Sequence, residues 1–143
     1  MRIAIVVAQF NDFVTSRLRD GAMAQLRDAG IEAGDVRVVD VPGAFEVPQM
    51  AAKLAAGGRY DGIVCLGCLI RGATPHFDYI ASAVAHGITK AALDTGVPMS
   101  FGVLTTNSAE EALERAVEGP SNKGREAAQA VIDMARAFGT AAS

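Results

Sequence analysis

Apolar and polar positions alternate in blocks along this chain, with short continuous apolar runs followed by longer stretches of helical periodicity. The first run, Ile-Ala-Ile-Val-Val, contains no polar position, which indicates a strand buried on both faces, as in a parallel sheet. The pattern predicts strands over 2–9, 36–41, 63–70 and 99–105. It predicts helices that start at Asn11 or Asp12 and reach about 29, and then over 47–56, 75–94, 109–117 and 123–138.

Strands that alternate with helices through short connections favour an α/β architecture. Crossover connections between parallel strands are right-handed, so they cover both sides of a sheet. We therefore expect three layers, with a four-stranded parallel sheet between helices on both faces. No linker interrupts the pattern, so residues 1–143 should form a single domain.

Composition narrows the classes of function. The 143 residues carry a net charge of -3 and contain no run of Lys or Arg, which argues against nucleic-acid and membrane-surface binding. No apolar stretch is long enough to span a bilayer, and the N-terminus lacks the features of a secretory signal. These features lead us to expect a cytoplasmic protein.

Two cysteines, Cys65 and Cys68, have the C-x-x-C spacing of redox and zinc sites. Both lie inside the third predicted strand, where residues three apart point to opposite faces, so a disulfide between them is geometrically poor. The spacing of His76 and His86 completes no common zinc pattern. We expect two buried thiols and no metal site.

The segment 67–79 runs an apolar strand through a glycine turn into a helix. Thr74 is suited to the N-cap and Pro75 to the first helical position, so free amides should face the turn and favour an anion. His76 follows at once, and an imidazole beside an anion can transfer protons. A plainer alternative is that this helix simply needs a cap and that His76 is a solvated side chain.

A second unusual turn, 41–46, follows the second strand with a glycine, a small residue and a carboxylate. Ligands of parallel sheets bind at the carboxyl ends of the strands, so the two turns together indicate a site. The chain has neither G-x-G-x-x-G nor G-x-x-x-x-G-K-[ST], and we expect no nucleotide cofactor and no other cofactor.

These turns carry a resemblance that covers nearly the whole chain. The sequence resembles the lumazine synthase family of riboflavin biosynthesis through a series of motifs in the family's order and spacing: Gln-Phe-Asn-Asp-Phe at 9–13, Pro-Gly-Ala-Phe-Glu at 42–46, Ile-Arg-Gly-Ala-Thr-Pro-His-Phe-Asp-Tyr at 70–79, Phe-Gly at 101–102, Glu-Arg at 114–115 and Asn-Lys-Gly at 122–124.

The resemblance implies a flavodoxin-like fold and a cofactor-free reaction. In it, 5-amino-6-ribitylaminouracil condenses with 3,4-dihydroxy-2-butanone 4-phosphate, and phosphate and water are released. The implied catalytic residues are His76 for proton transfer, Arg115 at the phosphate and Lys123 as electrostatic support. The implied substrate-binding residues are Phe10, Asn11, Gly43, Ala44, Phe45, Glu46, Cys68, Leu69, Ile70, Gly72, Ala73, Thr74, Phe101 and Arg115.

The resemblance also implies self-assembly into a pentameric ring in which Phe101, Arg115 and Lys123 serve the neighbouring subunit's site. Without it, the charged helix that carries Arg115 reads as a solvated face. The chain starts directly on its first strand, without the N-terminal extension of many members, whereas its connection 117–122 lacks the insertion of members that stop at pentamers. A sixty-subunit shell and a riboflavin synthase partner therefore both stay open.

Two other functions stay open as well. One is the related archaeal-type riboflavin synthase, although the segment 71–79 fits lumazine synthase better. The other is a flavin-binding or shell-forming protein without turnover, against which the presence of Glu46, His76, Arg115 and Lys123 weighs. His86 matches no functional position and should lie on the polar side of its helix.

Overall fold

The computed structural model describes residues 1–142. Every predicted strand and helix is present, and the largest difference in a boundary is at the end of the last helix, which reaches Ala141. The strands are β1 (Ile3–Ala8), β2 (Val36–Val41), β3 (Gly62–Ile70) and β4 (Met99–Thr106). The helices are α1 (Asp12–Asp28), α2 (Val47–Ala56), α3 (His76–Thr95), α4 (Ala109–Arg115) and α5 (Lys123–Ala141).

The four strands form one all-parallel sheet in the order β2-β1-β3-β4. This order and the helices on both faces define a flavodoxin-like sandwich, so the predicted fold class is confirmed. The strand order reverses between β1 and β3, because the chain moves outward to β2 and then returns past β1 to β3. Such a reversal leaves a crevice at the carboxyl ends of the two central strands, where ligands of this fold bind.

Residues of β1 alternate between the two faces of the sheet and are buried on both. Ile3 and Ile5 belong to a core cluster with α1, α4 and α5, whereas Ala4 and Val6 belong to a second cluster with α2 and α3. Burial on both faces explains the unbroken apolar run in the sequence. Among the helices of residues 1–142, none is both long enough and apolar enough to cross a bilayer.

Candidate active site

A cleft of about 370 Å³ opens at the carboxyl ends of β1 and β3, the crevice that the strand order creates. Segments that follow β1, β2 and β3 supply its walls. Ten of the predicted substrate-binding or catalytic residues line it: Phe10, Asn11, Gly43, Ala44, Phe45, Leu69, Ile70, Gly72, Thr74 and His76. Two unpredicted residues, Phe77 and Ile80, complete the lining.

The turn after β1 places an aromatic ring and an amide at the cleft. Phe10 is 70% exposed, and its amide donates to the carbonyl of Pro42 at 2.9 Å, which holds the turns after β1 and β2 together. Asn11 adopts a left-handed conformation with φ of 66°, which asparagine tolerates better than most residues. It occupies the N-cap position of α1, but its Nδ2 donates instead to the carbonyl of Cys68 at 2.9 Å. The Asn11 side chain thus fastens the turn to β3.

The turn after β2 forms a single 3-10 turn, Ala44–Glu46, before α2 begins. Ala44 is buried against the sheet, whereas the ring of Phe45 is 58% exposed beside the cleft. Glu46 is half-buried and does not itself line the cleft. A carboxylate oxygen of Glu46 lies 3.3 Å from where a side chain on Gly43 would begin, so the carboxylate borders this wall of the cleft.

The junction between β3 and α3 differs from the prediction by one residue. Pro75 occupies the N-cap position and α3 begins at His76, so the assignment of Thr74 as N-cap and Pro75 as the first helical residue is wrong. The proline ring holds φ at -71° and carries no amide hydrogen, so proline suits the N-cap position as well as the first helical position. The Thr74 hydroxyl still lies 3.4 Å from the His76 amide, where it can accept its hydrogen.

The amides before α3 are available to a ligand. Within the part of the chain that the structure describes, the N–H groups of Gly72, Ala73 and Thr74 donate no hydrogen bond, and all three residues are exposed. Together with the N-terminus of a 20-residue helix, they form a set of donors that favours an anion. His76 is the first residue of that helix and follows Thr74 by two positions in the sequence, so its imidazole is carried next to these amides.

Arg71 braces this turn, a role that the sequence analysis did not assign. Its amide donates to the Thr106 carbonyl at 2.8 Å, and its Nε donates to Asn107 Oδ1 at 3.2 Å. Its guanidinium pairs with Asp78 at 3.3 Å and lies 4.5 Å from the centre of the Phe77 ring. These contacts tie the first turn of α3 to the end of β4. No Lys or Arg is among the residues that line the cleft, and Arg71 lies beside it.

Both thiols are buried, as expected. Cys65 packs in the cluster with α2 and α3 and Cys68 in the cluster with α1 and α5, so they lie on opposite faces of the sheet and are not bonded to each other. Burial raises the pKa of Cys65 to about 12 and that of Cys68 to about 11. The Cys68 thiol is buried away from the cleft, and the contact of Cys68 with a cleft residue is its carbonyl, which accepts a hydrogen bond from Asn11. In residues 1–142, no group of three His, Cys, Asp or Glu side chains is arranged to hold a metal ion.

Six predicted residues are not among those that line the cleft. Glu46, Cys68 and Ala73 directly adjoin lining residues in the sequence, whereas Phe101 lies on the edge strand β4, Arg115 at the end of α4 and Lys123 at the start of α5. Phe101 is 49% exposed. Arg115 Nη1 donates to the Glu111 carbonyl at 2.9 Å, and Lys123 Nζ pairs with Glu126 at 2.8 Å. Within one chain, these residues are not brought to the aromatic wall and helix start.

Fold and site together define a class: a flavodoxin-like α/β protein whose switch-point cleft combines exposed aromatic rings with an anion-favouring helix start. The chain matches the family model of 6,7-dimethyl-8-ribityllumazine synthase over residues 1–138. It is 52% identical over 134 residues to the 6,7-dimethyl-8-ribityllumazine synthase of Syntrophus aciditrophicus (strain SB), covering 94% of this chain and 87% of that protein. The chain belongs to the 6,7-dimethyl-8-ribityllumazine synthase family, whose members are transferases of riboflavin biosynthesis.

Proposed function

We propose that this chain condenses 5-amino-6-ribitylaminouracil with 3,4-dihydroxy-2-butanone 4-phosphate to form 6,7-dimethyl-8-ribityllumazine, with release of phosphate and water. The observation that carries this proposal is the joint occurrence, in one cleft, of the Phe10 wall, the free amides 72–74 and His76, in a chain of this family. An aromatic, uncharged substrate and a phosphorylated one require these two different surfaces.

The ribitylaminouracil fits the part of the cleft that follows β1 and β2. We assign its pyrimidine to the exposed face of Phe10, with Asn11, Leu69 and Ile70 around it. Stacking of a base on an aromatic side chain contributes about 1 to 3 kcal/mol. Its ribityl hydroxyls are assigned to the turn at Ala44 and Glu46, where the bordering carboxylate accepts hydrogen bonds.

The phosphosugar fits the start of α3. Its phosphate accepts hydrogen bonds from the amides of Gly72, Ala73 and Thr74, and the helix dipole adds to this attraction. The charge that remains on a phosphate dianion requires cations, and we assign these to Arg115 and Lys123 of a neighbouring subunit. Their position outside the cleft of their own chain supports this assignment.

The reaction needs proton transfer more than it needs a strong nucleophile or a metal. The aromatic amine attacks the ketone carbon and water leaves as the imine forms. A proton must then leave the sugar carbon next to the imine while the phosphate departs from the following carbon with the bonding electrons. The resulting enol becomes a ketone, and the ribityl-bearing amine attacks it and closes the ring with loss of a second water. His76 starts the helix at the phosphate end, and general-base catalysis of this kind contributes about a hundredfold to ten-thousandfold. Holding the two reactants together contributes the greater part.

We further propose that the subunits form a head-to-tail pentamer. Closure of such a ring brings one subunit's edge strand and following helices to the next subunit's cleft. The exposed aromatic ring of Phe101 on that edge strand supports this arrangement. A shell of sixty subunits and an enclosed riboflavin synthase are extensions of the same assembly, and light scattering of the purified protein distinguishes a pentamer from a shell.

The experiment that tests the proposed function mixes the purified protein with both substrates and follows the fluorescent lumazine. We expect a rate far above that in buffer. A rate equal to that in buffer would refute the enzyme assignment. Supplying the lumazine alone and following riboflavin separates the archaeal-type riboflavin synthase, which would turn it over.

A further inference from the structure

The connection between α4 and α5, residues 116–122, ends in a side chain with unusual burial. Asn122 is only 1% exposed, whereas its neighbours Ser121 and Lys123 are both exposed. Its carboxamide oxygen accepts from the amides of Gly124 at 2.8 Å and Arg125 at 3.1 Å, which caps α5. A buried amide that is fully hydrogen-bonded fixes the groups around it, because breaking any bond leaves a polar group unsatisfied.

The nitrogen of the same carboxamide binds the two other helices of this layer. Nδ2 lies 3.1 Å from the carbonyl oxygen of Ala116 and 3.2 Å from that of Val117, at the end of α4. It also lies 3.2 Å from the carbonyl oxygen of Arg17 in α1. Two hydrogens are therefore shared among three acceptors, and one side chain joins the end of α4, the start of α5 and the middle of α1.

Two glycines make room for this arrangement. A side chain on Gly21 would collide with the carboxamide of Asn122, and one on Gly124 would collide with the backbone of Leu18. The helices α1 and α5 therefore approach closely at the point where Asn122 is enclosed. The carboxamide is held there by hydrogen bonds on both its oxygen and its nitrogen.

The residues that Asn122 holds are the direct neighbours of the two proposed phosphate cations. Arg115 immediately precedes Ala116, and Lys123 immediately follows Asn122. The contacts of the two cations themselves, to the Glu111 carbonyl and to Glu126, lie at exposed positions where such interactions contribute little. The relative placement of the two charges is therefore set by the backbone that Asn122 fixes.

We propose that Asn122 is the positioning residue of the phosphate-binding half-site, acting through Arg115 and Lys123. This inference rests on the proposed function, in which those two residues contact the phosphate of the sugar substrate. Asn122 is buried and touches no substrate itself. Its effect should therefore fall on the phosphate-bearing ligand and leave the binding of the uracil substrate unchanged.

The test is a double-mutant cycle on the assembled protein with inorganic phosphate as the probe. Calorimetry gives the phosphate Kd for wild type, Asn122→Ser, the Arg115→Ala, Lys123→Ala variant and the variant with all three changes. Serine still caps α5, but its shorter side chain carries one hydrogen instead of two and cannot serve the carbonyls of Ala116, Val117 and Arg17 together, so we expect the Kd to rise about tenfold. Because Asn122 acts through both cations, the variant with all three changes should bind phosphate as the Arg115→Ala, Lys123→Ala variant does, within about twofold.

The control is Val131→Ala, which removes buried side-chain volume from α5 without touching the Asn122 hydrogen bonds. It should lower thermal stability and leave phosphate binding unchanged. Three results would each overturn the inference. The losses in phosphate affinity could add independently in the cycle, Asn122→Ser could weaken ribitylaminouracil binding as much as phosphate binding, or Val131→Ala could weaken phosphate binding as much as Asn122→Ser does. If Asn122→Ser does not fold, Asn122→Thr enters the same cycle. Phosphate binding can be measured without turnover, so this test does not depend on the enzyme assay. A wild type that binds phosphate but forms no lumazine would refute the proposed function and not the role of Asn122 in phosphate binding.

Discussion

Two separately inactive variants should restore each other's activity if the active site is divided between neighbours. The perturbations are His76→Ala, which removes the proposed proton-transfer group from the cleft, and a double change of Arg115 and Lys123 to alanine, which removes the two cations outside it. His76 lines the cleft, whereas neither cation does. His76 and both cations are exposed, so the variants should fold and assemble as the wild type does.

The size of the restored activity follows from the geometry of the ring. In a head-to-tail ring each site takes its cleft from one subunit and its cations from the next. When the two variants are refolded together in equal amounts, a site is complete only if the first subunit carries intact His76 and the second carries intact Arg115 and Lys123. Random mixing gives this combination at about one site in four, since each choice has a probability of about one half.

The assay is lumazine fluorescence after co-refolding, with mass spectrometry to confirm rings of mixed composition. Activity should approach a quarter of the wild-type value, while each variant alone stays about a hundredfold or more below the wild type. The same two proteins mixed without subunit exchange control for contaminating wild type and should show no gain. Confirmed mixed rings that remain inactive would refute the division of the site, and the roles of Arg115 and Lys123 would fall first.

Three further outcomes are expected. Phe10→Ala should raise the KM for ribitylaminouracil about tenfold, and it should not lower stability because the ring is largely in solvent. Phe13→Ala, outside the cleft, should leave this KM unchanged. Equal effects of the two variants on the KM would remove Phe10 from the binding site. Activity should be unchanged in excess EDTA, and a loss that zinc restores would contradict the proposed chemistry. Burial raises the pKa of the Cys65 and Cys68 thiols above their ordinary value of 9.0. Above pH 9, the unfolded chain therefore loses the thiol protons while the folded chain keeps them. The free energy of unfolding should therefore fall as the pH rises from about 9 to about 11. Urea unfolding measured across that range should show a smaller fall for the Cys65→Ala, Cys68→Ala variant than for the wild type.

The sequence predicted the fold well because each element has a strong local signal. The continuous apolar run of β1 is a signal for a buried strand. Helix ends have local signals too: Gly30 follows the C-cap of α1, Gly57 is the C-cap of α2, and the Ser108 side chain caps α4. The crevice followed from the fold alone, since the carboxyl ends of parallel strands meet at one edge. Ten of the implied residues could therefore be placed together before any contact was known.

Contacts between distant segments could not be predicted in this way. The bond from Asn11 to the Cys68 carbonyl and the bracing of the α3 start by Arg71 depend on the register of neighbouring strands. Phe77 and Ile80 carry a helical i, i+3 spacing that marks one face of α3, but nothing local says that this face meets the cleft. The N-cap of α3 was misplaced because threonine before proline fits two adjacent cap positions equally well.

The distribution of charge supports the proposal that a second subunit completes this cleft. The donors at the start of α3 are neutral amides, and the one arginine beside them is paired with Asp78. Amides and a helix dipole together offset about half of one charge, whereas a phosphate dianion carries nearly two. In the proposed function the remaining charge is met by Arg115 and Lys123, which do not line the cleft of their own chain and whose neighbouring backbone a buried amide fixes. The proposed head-to-tail ring would present this pair of charges to the next cleft with the same geometry at every interface, because each subunit carries the pair in the same place.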